Sequence, residues 1–412
     1  MIGGRKMKEL FTIDTKDYNP DGHVFVRPSA RAIIERDGKV LVMYSQKYRY
    51  YKFPGGGIEA GETPQQALVR EVREESGYTV LPETIEEFGS VLRRNRDAKD
   101  PDGIFEQQNY YYFCDIGEER VPITQEAYEI EEGFTPVWVD CLFSLTRANR
   151  ESLRRGGGDP ALIEREMRVF DLADNAVRAR WFTKKENAAI AALGDDDYAG
   201  MLAYVKEVLE RQQTEGESGV GVHKLEFGYS RFEHTKRVLG WSKRLYDATP
   251  DKTGLRYEDL MIATIFHDVG RSVSIATGEP HAKAGVPITR EYLLAHGYPQ
   301  ERVDYICELV GAHSDKWRMT EPDLDRTLLM LMEADYLDDM GALGIVMDTL
   351  IVRARKEDAT FYDCYNHYSR YTVPMQKESP MVTPEGKALW DEKTEIAERF
   401  SKAVLRDISL FE

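Results

Sequence analysis

The chain has 412 residues, more than one hydrophobic core ordinarily serves, so two domains are expected. A hydrophobic fraction of 42% and a charged fraction of 31% argue against wholesale disorder, and no apolar run is long enough to span a bilayer. The net charge of −17 argues against a protein that coats long nucleic acid, yet it leaves small anionic substrates open, because bound divalent cations invert the sign of a site locally.

The four cysteines, Cys114, Cys141, Cys307 and Cys364, are far apart and form no CxxC pair, and no apolar leader segment follows Met1. A reducing, cytoplasmic setting is therefore expected, with no membrane partner. The sequence gives no sign of oligomeric state.

In chain order, Val24 to Ser45 reads as strands, with Ala30–Glu35 and Lys39–Tyr44 flanking Asp37-Gly38, a hairpin turn signal. A glycine-rich loop, Phe53-Pro-Gly-Gly-Gly57, comes next. A helix is expected from Thr63 to about Ser76, with Thr63 as N-cap, Pro64 at the first helical position and Gly77 as the stop. Asn109–Asp115 and Pro136–Val139 read as further strands, and helices follow to about Ala173, interrupted at Gly156–Gly158. Residues 174 to 222 are expected to be a polar helical connector ending in a flexible linker rich in Gly, Ser and Glu, Thr214–Gly221. From about residue 223 nearly every segment has helical periodicity.

The helix behind the glycine loop carries Glu71, Glu74 and Glu75 at i, i+3 and i+4, so all three share a face. Taken alone, such a run is usually a solvated surface. Clustered carboxylates repel one another, and a hard divalent cation such as Mg²⁺ or Mn²⁺ relieves that repulsion and bridges to substrate phosphates. The whole segment resembles the Nudix box, G-x5-E-x7-R-E-U-x-E-E-x-G-U. Gly56, Glu62, Arg70, Glu71, Val72, Glu74, Glu75 and Gly77 fill its positions, and Tyr78 replaces the final aliphatic.

The resemblance covers about residues 24 to 173 and implies cleavage of a nucleoside diphosphate linked to another group, X. It implies Glu74 and Glu75 as principal metal ligands, Glu71 as a ligand or water-activating base, and the Gly55 carbonyl as a further ligand. Gly56 and Glu62 belong to the substrate-binding loop. Glu62 and Arg70 tie that loop to the helix, and Arg70 is counted with the catalytic group. A fourth carboxylate is expected ahead of the strand holding Trp138, with Glu132 the choice over Glu129 and Glu131. Tyr44, Tyr48, Tyr50, Tyr51 and Phe53 either stack on a base or fill the core.

The second half places histidines and aspartates on apolar helices. His234 shares a face with Val238, Trp241 and Leu245; His267-Asp268 closes an apolar helix; Asp335 follows Leu328 and Leu331 at helical spacing. Burying such groups without a strong partner is costly, so a shared metal is expected. Imidazole with carboxylate suits Mn²⁺, Fe²⁺, Co²⁺ or Zn²⁺ alike.

The ordered set His234, His267-Asp268, Asp335 resembles the H…HD…D signature of HD-domain phosphohydrolases, over about residues 223 to 412. By this resemblance Asp268 is catalytic and a ligand. His281 and His313 ligate a second metal or donate to phosphate, a one-metal site being equally allowed, and Lys283 and Arg271 hold phosphate oxygens. Arg271 stands where many relatives have lysine. His296 reads as structural.

Together the two resemblances imply two domains. Residues 1–173 form an α/β Nudix sandwich, a mixed sheet with flanking helices, and residues 223–412 form an all-α HD helical bundle. The expected function is a bifunctional, metal-dependent hydrolase of small nucleotides. The alternatives are a Nudix nucleotide sensor that regulates an HD phosphohydrolase, and an HD phosphodiesterase for a signalling nucleotide.

Overall fold

The computed structural model describes residues 7–215 and 231–409, so most of the expected linker at 214–221 lies outside the described residues. Packing divides the chain into two units, Met1–Ala188 and Ala189–Glu412.

The first unit is a mixed sheet between helices. Its elements are β1 (Glu9–Asp14), β2 (Val24–Val26), β3 (Ser29–Arg36), β4 (Lys39–Ser45), β5 (Tyr51–Lys52), β6 (Gly55–Gly57), α1 (Pro64–Ser76), β7 (Tyr78–Val80), β8 (Glu86–Arg96), β9 (Ile104–Cys114), β10 (Ile116–Arg120), α2 (Ala127–Glu132), β11 (Phe134–Val139), α3 (Leu142–Arg154) and α4 (Pro160–Ala191). The strand order is β1-β8-β9-β3-β4-β11, with β1 parallel to β8 and β9 parallel to both β3 and the short β2.

Asp37 and Gly38 both have positive φ, 54° and 78°, so the β3–β4 turn takes the hairpin geometry that Asp-Gly favours. Beyond the turn the two strands diverge, β3 pairing with β9 and β6, and β4 with β11 and β5. Alternation along β3 then serves two cores. Ala30, Ala32 and Ile34 pack with Leu68 and Val72 of α1, while Ile33 packs with Leu142 of α3 and Val169, Phe170 and Ala173 of α4.

The helical unit contains α5 (Tyr198–Glu215), α6 (Arg231–Ala248), α7 (Tyr257–Phe266), α8 (Arg271–Thr277), α9 (His281–Ala295), α10 (Gln300–Ala312), α11 (Arg326–Asp338), α12 (Gly341–Arg355), α13 (Phe361–Arg370), α14 (Thr372–Met375) and α15 (Pro384–Ile408). From Asp259 to Phe266 every residue of α7 is buried, so α7 is the central helix, wrapped by the apolar faces of its neighbours. Among the described residues no helix is long and apolar enough to cross a membrane.

The expected connector needs correction over its described part. α4 continues to Ala191, and Tyr198, Met201, Leu202, Val205 and Leu209 of α5 are buried in the helical unit's core. Charged residues on the outer faces made this stretch read as polar, although α5 keeps an apolar stripe.

Candidate active sites

In the α/β unit, α1 starts with a complete capping box. Thr63 Oγ1 accepts from the Gln66 N–H at 3.2 Å, and Gln66 Oε1 accepts from the Thr63 N–H at 2.8 Å. Gly77 closes the helix in the left-handed conformation, φ 74°. The glycine loop fits against this helix because side chains are absent. A Cβ on Gly56 would lie 2.4–2.6 Å from the Glu71 carboxylate, and one on Gly55, at φ 132°, would strike the Ala30 carbonyl.

Arg70 ties loop to helix. Its Nε and Nη2 donate to the two oxygens of Glu62 at 2.8 and 3.0 Å, and Nη2 also reaches the Gly57 carbonyl at 2.9 Å. Arg70 holds the Glu62 carboxyl down at about 2. Its Nη1 donates to Glu71 at 2.8 Å and Glu74 at 3.3 Å.

Glu75 lies beneath the same glycine loop, and its partner is a lysine rather than Arg70. It is 1% exposed, accepts from the Gly55 N–H at 2.9 Å, and pairs with Lys52 Nζ at 2.7 Å. Lys52 also lies 3.5 Å from Glu129, which is buried beside Glu75. Burial pushes the Glu75 carboxyl up to about 8, and Glu129, its hydrogen-bonded neighbour, is the member of the pair held low.

The expected fourth carboxylate is therefore corrected. Glu132 turns to Ser45 and Tyr50, at 3.3 and 3.2 Å, and Glu131 pairs with Lys47 at the surface. Glu129, at the third position of α2 within its capping box, is the one that meets α1. Tyr50 and Phe53 are core residues, 3% and 0% exposed, and the Tyr44 and Tyr51 rings lie 4.8 Å apart on neighbouring strands.

Sequence reasoning missed the network behind the glycine loop. Arg31 Nη1 donates to the Phe53 and Gly55 carbonyls at 3.2 and 3.0 Å, and fully buried Glu166 accepts from the Phe53 N–H at 2.8 Å and from Arg165 at 2.7 Å. Lone charges inside strand and helix patterns were the available signal. A groove of about 1020 Å³ runs along the flank of α1 formed by Gln65, Val69 and Arg73, sharing only Arg70 and Glu74 with the carboxylate group.

In the helical unit, five helices converge. α7 delivers His267 and Asp268 at its C-terminus, α10 delivers His313, α9 starts at His281, and α6 and α11 bring His234 and Asp335. His234 Nε2 is 3.2 Å from Asp335 and 3.3 Å from His267 Nε2. His281 Nε2 is 3.2 Å from both His313 Nε2 and Asp268 Oδ1. These groups form two triads, His234/His267/Asp335 and Asp268/His281/His313. Asp268 Oδ2 also lies 3.7 Å from His234 Nε2, so one carboxylate spans both triads.

The other ring nitrogens are held. Nδ1 of His267 hydrogen-bonds the Thr264 carbonyl at 2.6 Å, that of His313 the Val310 carbonyl at 2.7 Å, and that of His234 lies 2.7 Å from Asp338. Arg237 in turn clamps Asp338 through two bonds of 2.8 Å. Fixing Nδ1 leaves Nε2 aimed at the carboxylates, the arrangement a metal-binding imidazole requires.

Burial lowers the three imidazoles of His267, His281 and His313, the last two to about 4 and about 3, so they are neutral at pH 7. Burial also opposes charge on His234, but the Asp335 and Asp338 carboxylates outweigh it and raise it to about 9. Asp335 lies well below the usual carboxylate range despite burial, held by Lys316 at 2.9 Å and by His234. Three neutral imidazoles and ionised carboxylates are donors that suit divalent metal ions, and an ion at Nε2 of His234 would displace the proton that its carboxylates hold there.

Of the expected phosphate-holding groups, Arg271 binds Asp268 at 2.9 Å, and Lys283 is exposed on α9 with its amine near Gly311. His296 stacks on Tyr292 at the end of α9, away from the triads. Asp338, Arg237, Lys316 and Ser314, whose hydroxyl is 3.0 Å from His281 Nε2, went unassigned from sequence.

The family model described as the NUDIX domain matches residues 26–153, and that described as the HD domain matches residues 231–340. The chain therefore contains a NUDIX domain followed by an HD domain. Among curated relatives it is similar to an RNA pyrophosphohydrolase of Acinetobacter baylyi, 46% identical over 61 residues, which is 15% of this chain and 36% of that protein. It is also similar to an ADP-ribose pyrophosphatase of Methanocaldococcus jannaschii, 34% identical over 105 residues, 24% of this chain and 59% of that protein. Both alignments thus span less than two thirds of the relative. A solved structure of Bacillus subtilis YpgQ is similar at 17% identity, covering 52% of this chain and 97% of that one, with a TM-score of 0.35, a likeness too slight to carry an argument.

Proposed function

We propose that the chain is a bifunctional hydrolase of small nucleotides, cytoplasmic, with one metal-dependent site in each unit. The carrying observation is the pair of triads joined by Asp268, in which each imidazole except that of His281 has its Nδ1 fixed. In the helical unit His234, His267, Asp268 and Asp335 would hold one divalent ion, and Asp268, His281 and His313 a second. Mn²⁺, Fe²⁺, Co²⁺ and Zn²⁺ all suit these donors. In the α/β unit Glu71, Glu74, Glu75 and Glu129 would hold Mg²⁺ or Mn²⁺ through hard oxygen donors. Bound there, such ions supply Lewis acidity toward phosphate oxygens and lower the proton affinity of water.

The chain's own groups do the rest. Lys316 keeps Asp335 ionised and oriented, Ser314 offers a hydroxyl beside His281, and Lys283 and Arg271 would receive phosphate oxygens. In the α/β unit Arg70 fixes the glycine loop against α1, and Glu71, its carboxyl raised by burial, is the candidate to take a proton from attacking water. The reaction assigned to this site breaks the phosphoanhydride of a nucleoside diphosphate-X, giving a nucleoside monophosphate and P–X or pyrophosphate. The helical site is assigned the hydrolysis of a nucleotide phosphate.

The test is product analysis by mass spectrometry. Full-length protein is given dNTPs, ADP-ribose, nucleoside diphosphate sugars, cyclic dinucleotides and a short RNA with a 5′ polyphosphate, in Mg²⁺ and in Mn²⁺. Glu74→Gln/Glu75→Gln and Asp268→Ala should each abolish a different cleavage. Loss of every cleavage in Asp268→Ala, with none lost in the glutamate variant, favours a second reading in which the α/β unit senses a nucleotide. Lys52 favours that reading too, because its ammonium already neutralises Glu75 and Glu129, and among the described residues no third carboxylate joins them.

A further inference from the structure

The carboxylates of the α/β unit fall into two pairs, each already bridged by one cation of the chain. Arg70 Nη1 donates to Glu71 at 2.8 Å and to Glu74 at 3.3 Å, and this outer pair is partly exposed. Lys52 Nζ lies 2.7 Å from Glu75 Oε1 and 3.5 Å from Glu129 Oε1, and the three side chains of this inner group are each 5% exposed or less. Every oxygen of the inner pair has a donor. Glu75 Oε1 accepts from Lys52, and Oε2 from the Gly55 N–H at 2.9 Å. Glu129 Oε1 accepts from the Tyr128 hydroxyl at 3.1 Å, and Oε2 from the Glu126 N–H at 3.0 Å. The Phe134 ring lies 4.4 Å from the same ammonium.

The helical unit differs on this point. There Lys316 takes Oδ2 of Asp335 and leaves Oδ1 turned to His234 and His267, 3.2 and 3.8 Å away, so the lysine supports a donor without covering it. Lys52 instead stands between its two carboxylates. An ammonium and a hard divalent ion seek the same oxygens, and two cations a few ångströms apart repel strongly in so dry a place. Neither cation can therefore share the inner pair with the other. Lysine carries its charge on a flexible four-carbon stem, and Lys52 belongs to β5, a strand of two residues paired with β4. Its amine can leave by side-chain rotation while the strand stays paired.

We infer that Lys52 is an internal lock on the metal-binding carboxylates of the α/β unit: its ammonium bridges Glu75 and Glu129, and it must swing away before those two residues can serve as ligands. The inference rests on the reading of that unit as metal-dependent, and it adds the group of this chain that a divalent ion has to displace.

Mn²⁺ titration of the full-length protein, with free and bound ion separated by electron paramagnetic resonance, tests it. Every arm carries Asp268→Ala, so that the helical unit contributes equally throughout, and to it are added Lys52→Met, Lys52→Gln, Lys52→Arg, Glu75→Gln, and Lys52→Met with Glu75→Gln. Lys52→Met and Lys52→Gln should each tighten, by at least ten-fold, the Mn²⁺ binding that Glu75→Gln removes. Lys52→Arg, which keeps the charge, should stay within two-fold of the parent. A second measurement needs no substitution. Acetylation of Lys52 by an amine-reactive ester, read by peptide mass spectrometry on the native chain, should run at least five-fold faster in Mn²⁺ than in EDTA, while exposed Lys99 reacts equally in both. Unchanged Mn²⁺ affinity in the two neutral variants, or acetylation of Lys52 that Mn²⁺ does not quicken, overturns the inference. The metal-dependent reading of the α/β unit fails separately, if Glu75→Gln alters Mn²⁺ binding neither alone nor together with Lys52→Met.

Discussion

Glu75 is a carboxylate whose protonation the fold alters strongly. Its folded-state value, about 8, stands above that of an exposed glutamate, so the folded chain binds this proton more tightly than the unfolded chain does. Stability from this group is complete below the ordinary glutamate range and is lost as pH rises toward 8. Metal-free protein should therefore unfold at a temperature roughly 2–4 °C lower at pH 9 than at pH 6, equivalent to about 1 kcal/mol, and Glu75→Gln should remove that difference. Thermal unfolding in EDTA followed by circular dichroism measures it, and an unchanged slope in Glu75→Gln refutes it. Asp338 acts at the same scale in the other unit. Replacing it by Asn leaves Nδ1 of His234 without its anionic partner and should weaken Mn²⁺ binding by roughly 10–100-fold, as read by titration calorimetry. Wild-type affinity in Asp338→Asn would show that Arg237 and the α6 backbone orient the ring unaided.

Much of the site was legible where residues are tied to local geometry. Thr63, Pro64 and Gly77 mark the ends of α1 because caps are local interactions, and the three glutamates follow from its period. The order of His234, His267-Asp268 and Asp335 is legible because apolar helices seldom carry such groups. What escaped depends on distant partners. Glu129 outranks Glu132 only because Lys52 of β5 reaches across to it, and β8 hides its strand character behind Arg93, Arg94 and Arg96. α5 read as polar, although its stripe from Tyr198 to Leu209 completes a core whose other half lies beyond residue 238. At this scale the capping box of α1 gives a measurable quantity. Thr63→Ala should cost about 1 kcal/mol of the α/β unit's stability in urea denaturation. A midpoint equal to wild type would mean that packing of Leu68 and Val72 alone holds the helix end.

Across the whole molecule the four cysteines are free, but burial separates them. The Cys114 thiol is pushed up to about 12 and Cys307 is raised as well, while Cys141 and Cys364 are partly exposed. A maleimide at pH 7.5 should modify Cys141 and Cys364 within minutes and spare Cys114 and Cys307 until denaturant is added, a pattern that peptide mass spectrometry resolves. Rapid native labelling of Cys114 would contradict the packing of β9 against α1. The helical unit also bears on how its kin are to be judged. His267 and His313 each close the helix they terminate through a carbonyl three residues back, so both would be retained for folding in a descendant that had abandoned chemistry. Asp268 closes no helix in this way: it is a buried anion within 4.0 Å of four imidazoles, with Arg271 at 2.9 Å as its cation. In a lineage drifting toward a purely binding role, the aspartate should be the first of the set to disappear, and the histidines the last.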